Sequence, residues 1–234
     1  MPAITYPATT GPIPGYLATP EGPGPWPAVV VIQDVRGLTA DIRRSVDRFA
    51  NAGYLALAPD LYGGHSPKVV CVAKTIRSHF TGKGPAYDDI EAARTYLLKD
   101  PRCSGKVGIA GFCMGGGFAL VVASRGGFSA AASMYGLAPE DIATLEQSCP
   151  VVASYGTKDL IAKPGTAQQI RTTLSRAGVA HDIKEYNVGH SFMNDFGLPR
   201  PLKPLERLAR MEFSEPEAED SWRRVFTFFD QHLT

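Results

Sequence analysis

The segment Lys106-Val107-Gly108-Ile109-Ala110-Gly111-Phe112-Cys113-Met114-Gly115 constrains the fold more than any other part of this chain. An apolar run ends in a G-x-C-x-G motif, and Gly116-Gly117-Phe118-Ala119-Leu120-Val121-Val122-Ala123 follows it with helix-forming character. This is the G-x-S-x-G arrangement with cysteine in the serine position. A strand must turn sharply into a helix there, and the flanking glycines leave room for a strained backbone at the central residue. Small residues at the helix start let it pack close to a sheet. The N-terminal helix dipole favours thiolate over thiol at Cys113. The segment predicts a strand–turn–helix unit with a nucleophilic cysteine at its apex.

The remaining chain carries the periodicity that such a unit needs around it. Thr10–Pro25, dense in proline and glycine, reads as short edge strands joined by turns. Ala28–Ile32 is a fully buried strand by its β-branched content, and a helix follows with Ile42, Val46, Phe49 and Ala50 on one face, closed by Gly53. Tyr54–Ala58 is the next strand, ended by Pro59-Asp60. The stretch Gly63–Pro85 shows no regular pattern and reads as part of a cleft wall. A helix is expected from about Tyr87 to Leu98, then the strand at 106–110 and the helix after Cys113. Ala130–Gly136 and Val151–Gly156 read as two further strands with a helix near Pro139–Gln147 between them. A helix at about Thr166–Arg176 leads to a last strand, Asp182–Tyr186. The chain closes in a helix whose Trp222, Val225, Phe226 and Phe229 recur at i, i+3, i+4 and i+7. Such alternation predicts an α/β class protein: a mostly parallel sheet with helices on both faces. No internal repeat or linker interrupts it, so residues 1–234 read as one domain, and 44% apolar residues suffice for one core.

Composition narrows the partners. Twenty-four basic against 23 acidic residues, with no block of like charge, argue against nucleic acid and anionic membranes. Met1–Pro7 lacks the pattern of a signal peptide, and no apolar stretch approaches the roughly 20 residues that span a bilayer. The expected location is the cytoplasm, as a monomer. Cys71, Cys103, Cys113 and Cys149 have neither C-x-x-C spacing nor a nearby histidine pair, which argues against a metal site and a disulfide framework. All but Cys113 read as inert interior thiols.

A nucleophile at this elbow needs a base, and the base an orienting group. In the α/β-hydrolase fold these follow in the order nucleophile, acid, histidine. Tyr155-Gly156-Thr157-Lys158-Asp159 places an aspartate just past one strand, and Val188-Gly189-His190-Ser191-Phe192 a histidine just past the last. Both then lie at the carboxyl edge of a parallel sheet. Asp159 also fits a turn or N-cap residue, and His190 a loop histidine with a local partner. Chain order favours the catalytic assignment. His190 would take the thiol proton, Asp159 would fix the imidazole tautomer, and the thiolate would attack an acyl carbon. Two backbone N–H groups must then stabilise the oxyanion: Met114 directly after the nucleophile, and one near Val35 after the first long strand. His65, His79, His181 and His232 have no such context and read as surface or structural residues.

With these residues in place, the chain resembles the dienelactone hydrolase (carboxymethylenebutenolidase) family from about Tyr16 to the C-terminal helix. The matching segments are Val31-Ile32-Gln33-Asp34-Val35-Arg36-Gly37, Gly53–Pro59, Gly111–Gly116 and Gly189-His190-Ser191-Phe192. The resemblance implies an α/β-hydrolase fold, no cofactor, a Cys113–His190–Asp159 triad and hydrolysis of an enol-lactone. In the family a carboxylate after the first long strand, usually glutamate, switches the thiol to thiolate when substrate binds. Asp34 holds that position, one methylene shorter. An arginine four positions after the histidine anchors the substrate carboxylate in members suited to dienelactone. Here that position is Asn194, which leaves Arg36 as the first candidate anchor, ahead of Arg77 and Lys83. Two other readings stay open: a broader esterase or thioesterase for neutral substrates, and a ligand-binding protein on the same fold. Phe196–Asp220, with four prolines, is long for a loop. It reads as a surface excursion, with Leu205, Leu208 and Met211 as the alternative, a short helix over the cleft.

Overall fold

A computed structural model describes residues 3–9, 11–63, 68–196 and 209–234. In chain order the strands are β1 (Ala3–Ala8), β2 (Gly11–Ala18), β3 (Trp26–Ile32), β4 (Leu55–Pro59), β5 (Cys103–Phe112), β6 (Ala130–Met134), β7 (Val151–Gly156) and β8 (His181–Tyr186). The α-helices are α1 (Ala40–Asn51), α2 (Lys68–Thr81), α3 (Pro85–Lys99), α4 (Met114–Ala123), α5 (Thr166–Arg176) and α6 (Glu215–Leu233). All strands join one sheet in the order β1-β2-β4-β3-β5-β6-β7-β8. β1–β2 and β2–β4 pair antiparallel, and every pair from β4 to β8 is parallel. This is the α/β-hydrolase fold.

Period-2 alternation divides the core into two layers. Val30 and Ile32 of β3 pack with Ile90, Leu97, Phe118, Leu120, Ile170 and Leu174 from α3, α4 and α5. Val29 and Val31 pack on the opposite face with Ile42, Val46, Phe49, Trp222, Val225 and Phe229 from α1 and α6. Phe49 lies 5.3 Å from the Trp222 ring and 6.0 Å from Phe229, so the apolar stripe of α6 closes on that of α1. Strands buried on both faces explain the continuous apolar runs in the sequence.

Several elements differ from the sequence reading. The proline-rich N-terminal stretch forms one strand, β2, which continues a hairpin begun by β1. The short strand expected at 106–110 extends to Cys103–Phe112, because its exposed first residues lack the apolar signal. The helix expected near 139–147 is a 3-10 helix, Ile142–Gln147, started by Asp141, whose side chain accepts from the Ala143 N–H. The supposedly irregular 63–85 contains α2. Its buried face is Cys71, Thr75 and Ser78, at i, i+4 and i+7, while Val69 and Phe80 are exposed. Half-buried Val72 and Ile76 also pack on the core, so the packed face mixes apolar with small polar residues while other apolar residues face solvent, which blurs the apolar periodicity. Within 196–220, α6 already begins at Glu215. Leu205, Leu208 and His65 lie outside the described residues. No helix among the described residues is long and apolar enough to cross a membrane.

Candidate active site

The parallel strands deliver their following loops to one edge, and the predicted residues meet there. Cys113 sits between β5 and α4 with φ 53° and ψ −116°, a conformation costly for any residue but glycine. Its surroundings impose that conformation. The Cys113 N–H donates to the Met134 carbonyl at 3.0 Å, and its carbonyl accepts the Gly117 N–H at 3.2 Å. A Cβ on Gly111 would lie 2.0 Å from the Gly115 carbonyl oxygen, and one on Gly115 would lie 2.3 Å from that of Ile32. Glycine is therefore required by close approach at both flanks. Met114 opens α4, so its N–H lacks an acceptor in the preceding turn.

Asp159 and His190 come from adjacent loops. The Thr157 and Lys158 N–H groups donate to the carbonyls of Tyr186 and Val188 at 2.8 and 2.9 Å. A Cβ at Gly156 would fall 2.4 Å from the Val188 carbonyl oxygen, so glycine admits this approach. His190 Nδ1 lies 2.7 Å from Asp159 Oδ2, and both side chains are almost fully buried. Asp159 Oδ1 accepts the N–H groups of Ile161 and Ala162 at 2.7 and 3.0 Å, which fixes the carboxylate plane. Nδ1 therefore carries the proton toward Asp159, and Nε2 remains without a well-formed hydrogen bond. Burial lowers the imidazole pKa. Its bond to Asp159 and its interaction with Cys113 outweigh burial and raise the value from 6.5 to about 9. The thiol thus lies within interaction range of the imidazole.

The loop after β3 completes the arrangement. Val35 is half exposed, and the Gly37 N–H closes a turn onto the Asp34 carbonyl at 3.1 Å. Asp34 is buried. Its Oδ1 accepts the Arg36 N–H at 2.7 Å, and its Oδ2 accepts Arg36 Nη2 at 2.7 Å and Nε at 3.2 Å. The Arg36 guanidinium also lies over the Phe196 ring, 3.5 Å from its centroid. Both Asp34 oxygens are therefore engaged by Arg36, and Arg36 is charge-compensated where it stands.

Asn194 is buried at 1% exposure and spent on structure. Its amide donates to Asp41 Oδ2, and its Oδ1 accepts the Tyr135 hydroxyl. The Tyr135 ring meets the His190 ring edge-on, with centroids 5.0 Å apart. Asp41 is held in turn by Arg44 at 2.8 Å. Sequence reasoning missed this chain, and it missed Tyr62, whose hydroxyl donates to the Val35 carbonyl at 2.9 Å. Pro59-Asp60-Leu61-Tyr62-Gly63 directly follows a parallel strand, and that placement was the available signal. Arg77 and Lys83 are exposed, on α2 and just after it. His79 is half-buried against Phe118, and burial lowers its pKa. Among the described residues, no cluster of His, Cys, Asp and Glu is arranged to hold a metal ion.

Residues 13–233 match the sequence profile of the dienelactone hydrolase family. The chain belongs to that family. A carboxymethylenebutenolidase of Pseudomonas putida is 28% identical over 215 residues, covering 86% of this chain and 91% of the relative. Protein usf of Aquifex pyrophilus is 29% identical over 231 residues, covering 94% of each. The crystal structure of a dienelactone hydrolase-like promiscuous phosphotriesterase from metagenomic libraries superposes with a TM-score of 0.81. It is 24% identical and covers 100% of this chain and 99% of its own, a likeness of fold. As a dienelactone hydrolase family member the protein is a carboxylic ester hydrolase, and the bond it cleaves is an ester or lactone.

Proposed function

We propose that this enzyme cleaves its ester or lactone through Cys113, with His190 as general base and acid and Asp159 as the group that orients it. The observation that carries the reading is the buried 2.7 Å His190–Asp159 pair beside a cysteine at positive φ. His190 Nε2 takes the thiol proton, and the thiolate attacks the acyl carbon. The carbonyl π electrons move to oxygen, where the Met114 and Val35 N–H groups stabilise the charge. The tetrahedral intermediate collapses with breakage of the C–O bond, and the leaving oxygen takes the proton from the imidazolium. In a lactone this oxygen stays tethered and the ring opens. A water then gives a proton to His190 and adds to the thioester. Collapse expels the thiolate, which regains its proton, and releases the acid. No step calls for a cofactor. Cysteines without C-x-x-C spacing fit a reducing, cytoplasmic compartment, and we take the enzyme to work there as a single-domain monomer on small dissolved substrates.

Dienelactone is the default substrate. Asn194 and Arg36 favour a second reading, esters or thioesters without a carboxylate. Both Asn194 amide ends are occupied, and the Arg36 charge is already compensated by Asp34. The test compares initial rates on dienelactone and on neutral aryl esters for wild type and Cys113→Ala. Turnover should vanish in Cys113→Ala and fall on the order of 10²-fold in Cys113→Ser, because His190 would then face a far less acidic group. Near wild-type rates in Cys113→Ala would overturn the nucleophile. The substrate with the higher kcat/KM in wild type decides between the two substrate readings.

A further inference from the structure

Tyr62 lies outside the proposed triad, yet its hydroxyl reaches the loop of one proposed oxyanion donor and the side chain of the other. The residue follows β4, where Asp60 Oδ1 accepts the Tyr62 N–H at 3.0 Å and the Gly63 N–H returns to the Asp60 carbonyl at 2.9 Å. This double turn aims the ring inward, and Tyr62 is 5% exposed. The ring packs on Gly37, at φ 95°, where a Cβ would come within 3.0 Å of it. The hydroxyl donates to the Val35 carbonyl at 2.9 Å and lies 4.0 Å from Met114 Sδ.

The 35–36 peptide is thereby held at both ends. Its oxygen accepts from Tyr62, and its N–H donates to Asp34 Oδ1 at 2.7 Å. Pinning that peptide fixes ψ of Val35 and φ of Arg36, while the preceding peptide, which carries the Val35 N–H, is held by the Gly37 N–H on the Asp34 carbonyl at 3.1 Å, at the glycine on which the Tyr62 ring packs, so the half-exposed Val35 turn cannot swing without breaking a bond. A loop that must present an N–H to a developing oxyanion gains from such preorganisation, since the donor should not reorient during the reaction. Burial first, then the charges of Asp34 and Cys113, push the Tyr62 phenol up to about 12, so it remains a donor across the working pH range.

We infer that Tyr62 is a positioning residue for the oxyanion-binding loop, anchoring through the Val35 carbonyl and Gly37 the turn whose Asp34–Val35 peptide presents the Val35 N–H to the substrate. The inference rests on the Cys113 reading above, in which that N–H stabilises the tetrahedral intermediate. It predicts a defect in transition-state binding with ground-state binding spared. Tyr62→Phe removes only the hydroxyl. It should lower kcat about 10-fold or more, within the roughly 10²–10³-fold cost of losing an oxyanion donor outright, and change KM less than about 2-fold. A trifluoromethyl ketone that adds the cysteine to form a tetrahedral adduct should lose affinity in parallel with kcat/KM. Placing 4-aminophenylalanine at position 62, which restores a donor at the para position, should recover most of the rate. If Tyr62→Phe fails to fold, 4-methylphenylalanine at 62 fills the same volume without a donor and takes its place. Wild-type kcat in a folded donor-less variant, or a loss confined to KM, would overturn the assignment. Cys113→Ala is measured beside it. Turnover that survives in Cys113→Ala defeats the underlying mechanism, whereas loss there with normal kcat in Tyr62→Phe defeats the positioning role alone.

Discussion

His190 links the chemistry of the site to the pH dependence of the whole protein. Burial disfavours its cation, but Asp159 and Cys113 overcome that cost and set its pKa near 9, above the 6.5 of an unfolded chain. Between those values the folded state binds the proton more tightly, so the stabilisation is complete below pH 6.5 and disappears as pH rises through 9. Denaturant melts should show stability falling by about 3 kcal/mol over that window, and His190→Gln should flatten the dependence. kcat/KM should decline above the same pH, because in the proposed mechanism the leaving oxygen then loses its proton donor. A stability profile flat in wild type would contradict the coupling. At this scale the placement of Cys113 at a strand–helix turn and of Asp159 and His190 on neighbouring loops was legible in the sequence, since the elbow motif and the chain order of the fold point to those positions together. Asn194 and Arg36 were not legible as structural groups. A polar residue shows its residue type in the sequence but not whether its hydrogen bonds are already spent.

Helix α4 depends on how closely its first turn can approach its neighbours. A Cβ at Gly115 would meet the Ile32 and Gln33 carbonyl oxygens at 2.3 and 2.7 Å, both rigid backbone. A Cβ at Gly117 would meet His79 Cε1 at 2.3 Å, the far end of a side chain that can turn away. Gly115→Ala should therefore cost about 3 kcal/mol or more and abolish turnover, because it displaces the helix that carries Met114. Gly117→Ala should cost less and retain activity. Urea midpoints and kcat for the two variants check this order, and equal losses would refute it. The sequence showed three consecutive glycines but not that Gly115 and Gly116 abut backbone while Gly117 chiefly meets a side chain, because that depends on where β3 and β6 end. Helix α2 was hidden for a related reason. It packs through Cys71, Thr75 and Ser78 beside half-buried Val72 and Ile76, and the Thr75 hydroxyl donates to the Leu61 carbonyl at 3.1 Å, so hydrogen bonding supplements a short apolar contact.

The whole molecule places at one sheet edge residues drawn from β-strand ends between Asp34 and Asn194, so the site exists only when the sheet is complete. α6 contributes to that completeness without touching the chemistry. Phe229 is fully buried against Phe49 and Tyr54. Phe229→Ala should cost about 3–5 kcal/mol by loss of burial and the cavity left behind. The kcat per folded molecule should remain that of wild type. A large fall in kcat at unchanged stability would instead make α6 part of the site. From the sequence alone came the parallel α/β architecture, the elbow cysteine and the acid and histidine that follow it. These are matters of local periodicity, of backbone sterics at glycine and of chain order. The tertiary structure alone decided that Asp34 is bound by Arg36, that Asn194 is locked between Tyr135 and Asp41, and that Tyr62 holds Val35. Each of these joins groups whose meeting depends on loop paths, and a residue's hydrogen-bond partner is set by the space around it.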